Sequence, residues 1–297
     1  MRMTVSLPAQ VMFVHDDNLT LLRRYTVSTA TKGGGELNGS FCTPRGQHII
    51  RAKIGANSAA NTVFVRRRPT GEIWSPELAA QCPGRDWILT RILWLSGKQV
   101  GRNRLGDCDT MRRYVYVHGS PDPVEMGVPG SIGCVRMRNP EICDLFDLVP
   151  VLTRVDIDDF HVVSGDWLTM RAAAMPLRHQ VFVVEQNVPP EIEIDEFDAT
   201  SHHAVAYDAL GQPIGTGRLL LDGHIGRMAV AANWRGQGVG RALLLHLMNA
   251  ARTRNYAELR LNAQTHAARF YRQFGFTQVG SEFMEAGIAH IEMIKQI

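Results

Sequence analysis

A cysteine attacks a carbonyl carbon as its thiolate, and an unperturbed pKa of about 8.5 leaves little thiolate at neutral pH. Cys134 stands in the stretch "SIGCVRM", downstream of His118 in "RRYVYVHGS". A neighbouring imidazole could take the thiol proton, which makes His118 and Cys134 a candidate base and nucleophile. The alternation of "RRYVYVH" predicts a strand with Tyr114, Tyr116 and His118 on one face and Val115 and Val117 on the other. Gly130 and Gly133 would let the following turn bend and expose Cys134. A glycine before a nucleophile also lets backbone N–H groups gather around a developing oxyanion. The same spacing fits a buried thiol beside an ordinary strand-end histidine. A zinc site completed by Cys143 or Cys108 lacks paired ligand spacing.

A second constellation is "RGQGVGR" at residues 235–241, inside "RMAVAANWRGQGVGRALLLHLM". This reads as a strand, a glycine-rich turn and a helix. Gly236, Gly238 and Gly240 remove side chains where a ligand must approach the backbone, and the free N–H groups of the helix start suit a pyrophosphate. A tight strand–helix turn with no ligand is the other reading of these glycines.

The elements that must position these groups fall into two textures. Residues 1–157 hold short β-like runs with Gly and Pro punctuation, such as "QVMFV", "RRYTVS", "QHIIRAKIG" and "NTVFVRR". One helix follows the cysteine, with Asn139 as its expected cap, Pro140 at its first position and Ile142, Leu145, Phe146 and Val149 on one apolar face. Pro150 stops it, and "TRVDI" closes this half as a strand. Residues 158–297 alternate helices and strands: a helix over Trp167–Glu185, strands in "HHAVAYD", "IGTGRLLLD" and "GRMAVAA", and a long helix from Gly238 to about Arg254. Its stripe is Val239, Leu243, Leu247 and Ala250. A strand "ELRLNA", a short helix "AARFYRQF" ended by Gly275 and a hairpin around Glu285–Gly287 complete an α/β domain.

Composition bounds the rest. A chain of 297 residues suits one large domain or two ordinary ones. Hydrophobic content of 45% with 21% charged residues is globular, and a net charge of +3 is too mild to argue for nucleic acid, so no nucleic-acid partner is expected. Lys32, Lys53, Lys98 and Lys295 are the lysines among 32 basic residues, so arginine forks dominate. Pro8, Gln10 and His15 break up the N-terminal stretch, so no secretory signal is read there, and no run is long enough to span a bilayer. A cytoplasmic location is expected, or a periplasmic one if export uses an unrecognised route. Five scattered cysteines argue against a disulfide framework and read mostly as small buried hydrophobes.

Two resemblances sharpen these readings. From about Val5 to Ile157 the chain resembles the catalytic domain of L,D-transpeptidases, through "TPRG", "ILTRILWLSG", "DTMRRYVYVHGS" and "GCVRMRNPEICDLFDLV". The resemblance implies a mainly-β sandwich or barrel. Its cysteine would attack a peptidoglycan stem tetrapeptide at the carbonyl of the third residue and pass the acyl group to an amine. Matched to that motif, Cys134 is the nucleophile and His118 its base, with the Gly119 carbonyl steadying the imidazole. The amides of Gly133 and Cys134 would bind the oxyanion, while Arg136, Ser131 and Ile132 line the substrate side. Neither a cofactor nor a metal is implied for this half. The family usually carries Ser-His-Gly-Cys, whereas this chain has Ser131-Ile132-Gly133-Cys134. Since His118 still serves the thiol, altered acceptor preference is expected rather than lost acylation. Water or a free D-amino acid as acceptor would make the enzyme an L,D-carboxypeptidase or an exchange enzyme.

From about 160 to 297 the chain resembles a GNAT-type N-acetyltransferase, with the α/β fold and the acetyl-CoA cofactor that this implies. Arg235, Gly238 and Gly240 match its phosphate motif, and the whole turn of Arg235, Gly236, Gln237, Gly238, Val239, Gly240 and Arg241 would cradle the pyrophosphate. Backbone at Met228 and Val230 would pair with the pantetheine amides, and Asn262 would meet the cofactor arm. Tyr271 would protonate the leaving CoA thiolate, unless it merely packs beside Phe270 and Phe274. For the base toward the amine, Glu185, Glu193, His202 and His290 are candidates by position alone. The two resemblances together imply a bifunctional protein acting on stem peptides or muropeptides, with the second half an enzyme or a non-catalytic docking module. Mature peptidoglycan lies outside the cytoplasm and acetyl-CoA inside, so a cytoplasmic precursor or recycled muropeptide fits both halves.

Overall fold

Alternating burial makes the first strands. In β1 (Arg2–Ser6), Met3 and Val5 are fully buried while Arg2 and Thr4 are not. The computed structural model describes all 297 residues, and the chain divides into two compact units, 1–159 and 160–297.

In the first unit β1 is followed by β2 (Val11–His15), β3 (Leu21–Thr26), β4 (Gly46–Ile54), β5 (Thr62–Val65), β6 (Arg68–Ile73), α1 (Pro76–Gln81), β7 (Ile88–Gly97), β8 (Tyr116–Ser120), β9 (Val135–Arg138), α2 (Asn139–Leu148) and β10 (Arg154–Asp158). Ten strands share one hydrogen-bonded network in the order β3-β2-β1-β10-β4-β7-β5-β6, with β8 branching from β7 and β9 from β8. The β1–β10 and β8–β9 pairs are parallel. Ile142 and Leu145 of α2 are fully buried in the same cluster as Leu93, Val117 and Val135. Each such burial stabilises the unit by roughly 1.5–3 kcal/mol. Leu145→Ala would therefore cost about 2–5 kcal/mol, because the rigid sheet beneath cannot collapse into the space.

Two local expectations are corrected here. The strand starts at Tyr116, not at Tyr114, whose φ of +56° takes it out of the ladder. It belongs instead to a turn begun by Asp109, whose carboxylate accepts from the Leu105 and Arg112 amides at 2.8 and 3.0 Å. Asn139 does not cap α2. Arg138 stands at the cap without a side-chain bond, and Asn139 is the first helical residue. Its carboxamide accepts from Thr90 Oγ1 at 2.6 Å and donates to Asn61 Oδ1 at 2.7 Å and the Ser120 carbonyl at 3.1 Å. That network ties the helix start to the end of β8.

The second unit runs β11 (Phe160–Gly165), α3 (Trp167–Arg178), α4 (Pro190–Glu193), β12 (His202–Asp208), β13 (Pro213–Leu219), β14 (Ile225–Val230), α5 (Val239–Thr253), β15 (Glu258–Gln264), α6 (Ala268–Arg272), β16 (Thr277–Glu285) and β17 (Ile288–Gln296). Its strands form an antiparallel sheet β11-β12-β13-β14 and a second, β15-β17-β16, with a bridge between His224 and Arg260. The helix expected over Trp167–Glu185 is α-helical only to Arg178 and continues as wider π-type turns through Glu185. The change comes two residues after Pro176, which has no N–H to give the helical ladder. α5 packs on the first sheet through Leu243, Leu247 and the fully buried Ala251, so the apolar stripe ends at Ala251 rather than Ala250. No helix of the structure is long and apolar enough to cross a membrane.

Candidate active sites

The first site is built by the parallel β8–β9 pair. Its register matches Val117 with Val135 and His118 with Arg136, so Cys134, one residue before β9, comes opposite Tyr116. The Tyr116 amide donates to Cys134 Sγ at 3.4 Å, and the thiol donates to the Tyr114 carbonyl at 3.7 Å. His118 is fully buried, and its Nδ1 lies 2.8 Å from the Gly119 carbonyl. A carbonyl only accepts, so Nδ1 carries the proton and Nε2 presents its lone pair. Nε2 has no hydrogen-bond partner, so the thiol–imidazole hydrogen bond is not formed in this structure.

Burial sets the charge state. It pushes the Cys134 thiol up to about 12, against the opposing pull of Arg136 and Arg113. It also holds the His118 imidazole below its ordinary range. The resting pair is therefore a neutral thiol and a neutral imidazole, not the ion pair expected from their chemistry alone. Proton transfer has to accompany attack.

The backbone around the pair is tightly fixed. A side chain at Gly119 would place its Cβ 2.3 Å from Asn139 Oδ1 and 2.8 Å from the Leu89 carbonyl, so only glycine fits. Opposite it, β7 carries an irregularity between Leu89 and Ile92, and Thr90 sits at φ +68°. Ser131 Oγ donates to the Cys134 carbonyl at 2.6 Å and accepts from the Gly133 amide at 3.2 Å. The Gly133 N–H, expected in an oxyanion hole, is thus already engaged. Gly133 itself has φ +136°, a conformation that favours glycine. Ile132 is 56% exposed. Arg136 is held by Asp86 at 2.6 Å and by the Gly130 carbonyl at 2.8 Å, so its charge is already paired.

Sequence reasoning missed the roles of four residues here. Arg113 donates to the carbonyls of Gly35, Glu36 and Cys42 at 3.0, 2.7 and 2.6 Å, pinning that loop. Asn139 and Tyr116 position the base and the thiol, as described above. The Arg67 guanidinium lies over the Trp94 ring, 4.0 Å from its centroid. Each works through partners distant in sequence, and no local pattern marks them. The cysteines are all free and half-buried rather than core hydrophobes.

The second site lies at the start of α5. Gly236 and Gly238 have φ of +73° and +98°. The first intrahelical bond is Ala242 N–H to the Gly238 carbonyl, so the Val239, Gly240 and Arg241 amides are the first-turn donors of a helix N-terminus. A Cβ at Gly236 would meet nothing within 4 Å, and one at Gly240 only ordinary contacts with Phe270 and Val230. Val239 is buried and anchors the turn. Gln237 Nε2 donates to the Asn233 carbonyl at 2.8 Å. These open amides fit an anionic pyrophosphate.

Nearby, β14 is the last strand of its sheet. Thr216 pairs with Ala229, and Ala231 N–H bonds the Ile214 carbonyl, so the Met228 and Val230 backbone faces the other edge. Two features close that edge: Arg235 Nε donates to the Val230 carbonyl at 3.0 Å, and its Nη2 pairs with Glu185. Asn262 Nδ2 donates to Glu285 at 3.2 Å. Tyr271 is 9% exposed, lies edge-on to Phe270 with centroids 5.0 Å apart, and has its phenol pushed up to about 12 by burial.

The amine-base candidates separate. Glu193 is buried and committed to Arg178. His202 is pushed down to about 4, first by burial and then by Arg254, whose Nη2 lies 3.1 Å from its Nδ1 at the far end of α5 from Gly238. Glu185 is paired with Arg235. His290 Nδ1 bonds the Ile288 carbonyl at 2.8 Å, which leaves its Nε2 as an acceptor.

A family model for the L,D-transpeptidase catalytic domain matches residues 1–157, and one for the acetyltransferase (GNAT) domain matches residues 171–297. The chain belongs to the L,D-transpeptidase catalytic-domain family in its first half and to the GNAT acetyltransferase family in its second. Among relatives of the second half, the uncharacterized N-acetyltransferase YjcF of Bacillus subtilis (strain 168) is 40% identical over 126 residues, 41% of this chain and 89% of that protein. Protein ElaA of Escherichia coli (strain K12) is 31% identical over 134 residues, 42% of this chain and 86% of that protein. An acyl-CoA N-acyltransferase structure from Pseudomonas aeruginosa is 32% identical, covers 46% of this chain and 99% of its own, and has a TM-score of 0.42.

Proposed function

We propose that the chain is a bifunctional acyltransferase: a cysteine L,D-transpeptidase on peptidoglycan stem peptides, of sandwich type, joined to an acetyl-CoA-dependent N-acetyltransferase. The observation that carries the first half is the fixed tautomer of His118, which leaves Nε2 unpartnered, on a strand whose register with β9 brings His118 and Cys134 to neighbouring positions. Nε2 takes the Sγ proton as sulfur bonds to the peptide carbonyl carbon. The Cys134 amide faces the developing oxyanion, and the Gly133 amide joins it if Ser131 Oγ turns away. When the carbon–nitrogen bond breaks, the leaving D-amino acid takes the proton from Nε2. The acceptor amine gives a proton to Nε2 as it adds to the thioester, and Nε2 passes that proton to Sγ as the carbon–sulfur bond breaks.

In the second half the α5 amides would hold the pyrophosphate, and the Met228–Val230 edge and Asn262 the pantetheine arm. Bound acetyl-CoA supplies the acetyl group. Tyr271, protonated throughout the neutral range, holds the proton that a leaving thiolate needs. Arg235 must leave Glu185 before it can reach a phosphate. A muropeptide precursor or recycled fragment carries both a peptide carbonyl and a free amine, and suits both halves in one compartment.

The test is mass spectrometry after incubation with tetrapeptide muropeptide or a carbapenem. An adduct on Cys134 that Cys134→Ala abolishes supports the reading, and an adduct on Cys42 or Cys143 instead overturns it. The pairing of Arg235 with Glu185 and Val230 favours a second reading of the GNAT half as a docking module. Detectable acetyl-CoA turnover excludes that second reading, whereas calorimetry showing no acetyl-CoA binding to the wild type supports it.

A further inference from the structure

The β5–β6 hairpin turns through Arg66 and Arg67, both at positive φ, +48° and +70°. A two-residue hairpin of this kind ordinarily carries Asn-Gly or Gly-Gly, because those residues reach the left-handed region without strain. Two consecutive arginines held there mark a segment whose geometry the surroundings enforce. What enforces it is visible at Arg67. Its guanidinium lies 4.0 Å from the Trp94 ring centroid and 5.0 Å from that of Tyr114, and its Nη1 donates to the Tyr116 hydroxyl at 3.2 Å. Those aromatic residues belong to the Cys134 site. Tyr114 accepts from the thiol through its carbonyl, Tyr116 donates to it through its amide, and Trp94 packs in the cluster that includes Tyr116 and Cys134.

The neighbouring arginines differ from Arg67 in one respect. Arg136 has Asp86, and Arg113 is surrounded by backbone carbonyls. Arg67 makes no ion pair, and of its five N–H donors one is used. Two aromatic rings lie against the guanidinium, and it is only half-buried. A planar fork with free in-plane donors and partly dry faces suits a carboxylate, bound through two parallel hydrogen bonds.

We propose that Arg67 is a specificity-determining residue of the Cys134 site. It binds a carboxylate of the acyl-donor peptide, other than the carbonyl under attack, one tyrosine's length from the thiol. The proposal rests on the reading of Cys134 as an acylated nucleophile. It selects donors that carry a free carboxylate beside the scissile bond over amidated ones.

The test uses the full chain with Cys134→Ala, so that binding is read without reaction. Calorimetry compares a stem tetrapeptide with free carboxylates against the same peptide fully amidated. The free acid should bind at least about tenfold more tightly, a difference of about 1.4 kcal/mol. Arg67→Gln should shrink the preference to less than about twofold, Arg67→Lys should keep part of it, and Arg66→Gln, which removes the same charge from the same turn, should leave it intact. Equal binding of both peptides, or a preference that survives Arg67→Gln, overturns the assignment of Arg67. Failure of the nucleophile reading shows separately, as absence of any acyl adduct on the wild-type chain.

Discussion

The Nδ1 nitrogen of His118 lies 2.8 Å from the carbonyl oxygen of Gly119, its own neighbour in the chain, and that contact fixes which end of the ring can act as a base. The proton sits on Nδ1, and Nε2 is free to receive one. With the thiol raised to about 12 and the imidazole lowered, the pair rests uncharged. Alkylation of Cys134 by iodoacetamide, followed on its own peptide by mass spectrometry, should therefore climb about tenfold per pH unit from pH 7 to 10. A plateau near neutrality would reveal a standing ion pair. Acylation by a peptide needs neutral His118, whose depressed pKa keeps it neutral further into acid. Its acid limb should fall below about pH 6.5, the ordinary histidine value.

Gly119→Ala tests how firmly that geometry is held. The new Cβ would meet Asn139 Oδ1 and the Leu89 carbonyl, and the latter is backbone that cannot swing aside. Overpacking of this kind costs about 1–3 kcal/mol. Urea unfolding should show that loss, and acylation should fall because His118 shifts with the strand. Unchanged stability would mean that β8 gives way freely.

Ile132→His returns a polar ring to a side chain that is 56% exposed. His118 already serves the thiol, so acylation rates should change little. Acceptor choice should shift, since a net hydrogen bond made or lost at the thioester is worth about 0.5–1.5 kcal/mol. Products of defined muropeptides, sized by chromatography, read the shift. A large gain in acylation with the same products would show that the natural site is impaired rather than retuned.

The sequence was most legible where bonding is local. The stripe of α5, the run "HHAVAYD" that became β12 and the glycines at 236 and 238 follow from periods and turns within a few residues. What escaped depends on tertiary packing or on the fine geometry of a turn. The left-handed turn at Tyr114 depends on a cap five residues back. Asn139 abandons its expected cap because Asn61 and Thr90, remote in the chain, compete for its carboxamide. Protonation of Cys134 is set by the protein packed around it, which spacing does not encode. The engaged Gly133 amide depends on how one short turn folds back on Ser131.

Tyr271→Phe isolates the proton donor of the second half. The phenol is buried among Phe270 and Phe276, so the ring should keep its packing when the hydroxyl goes. Acetyl-CoA affinity should stay within about twofold, while kcat for acetyl transfer falls by about a hundredfold or more, as for a lost general acid. An unchanged kcat would assign Tyr271 to packing.

The parallel pairing of β1 with β10, Arg2 against Arg154 through Ser6 against Asp158, has a consequence for biosynthesis. β1 lies inside the sheet between β2 and β10, and β10 is the last strand of the unit to be made. At about 5–20 residues per second, the nascent β1 waits on the order of ten seconds with one edge unpaired. An apolar strand with an open edge is a template for wrong partners, including other nascent chains. Chaperone demand should therefore peak before residue 158 leaves the exit tunnel and drop once it has, well before translation of the acetyltransferase half is finished.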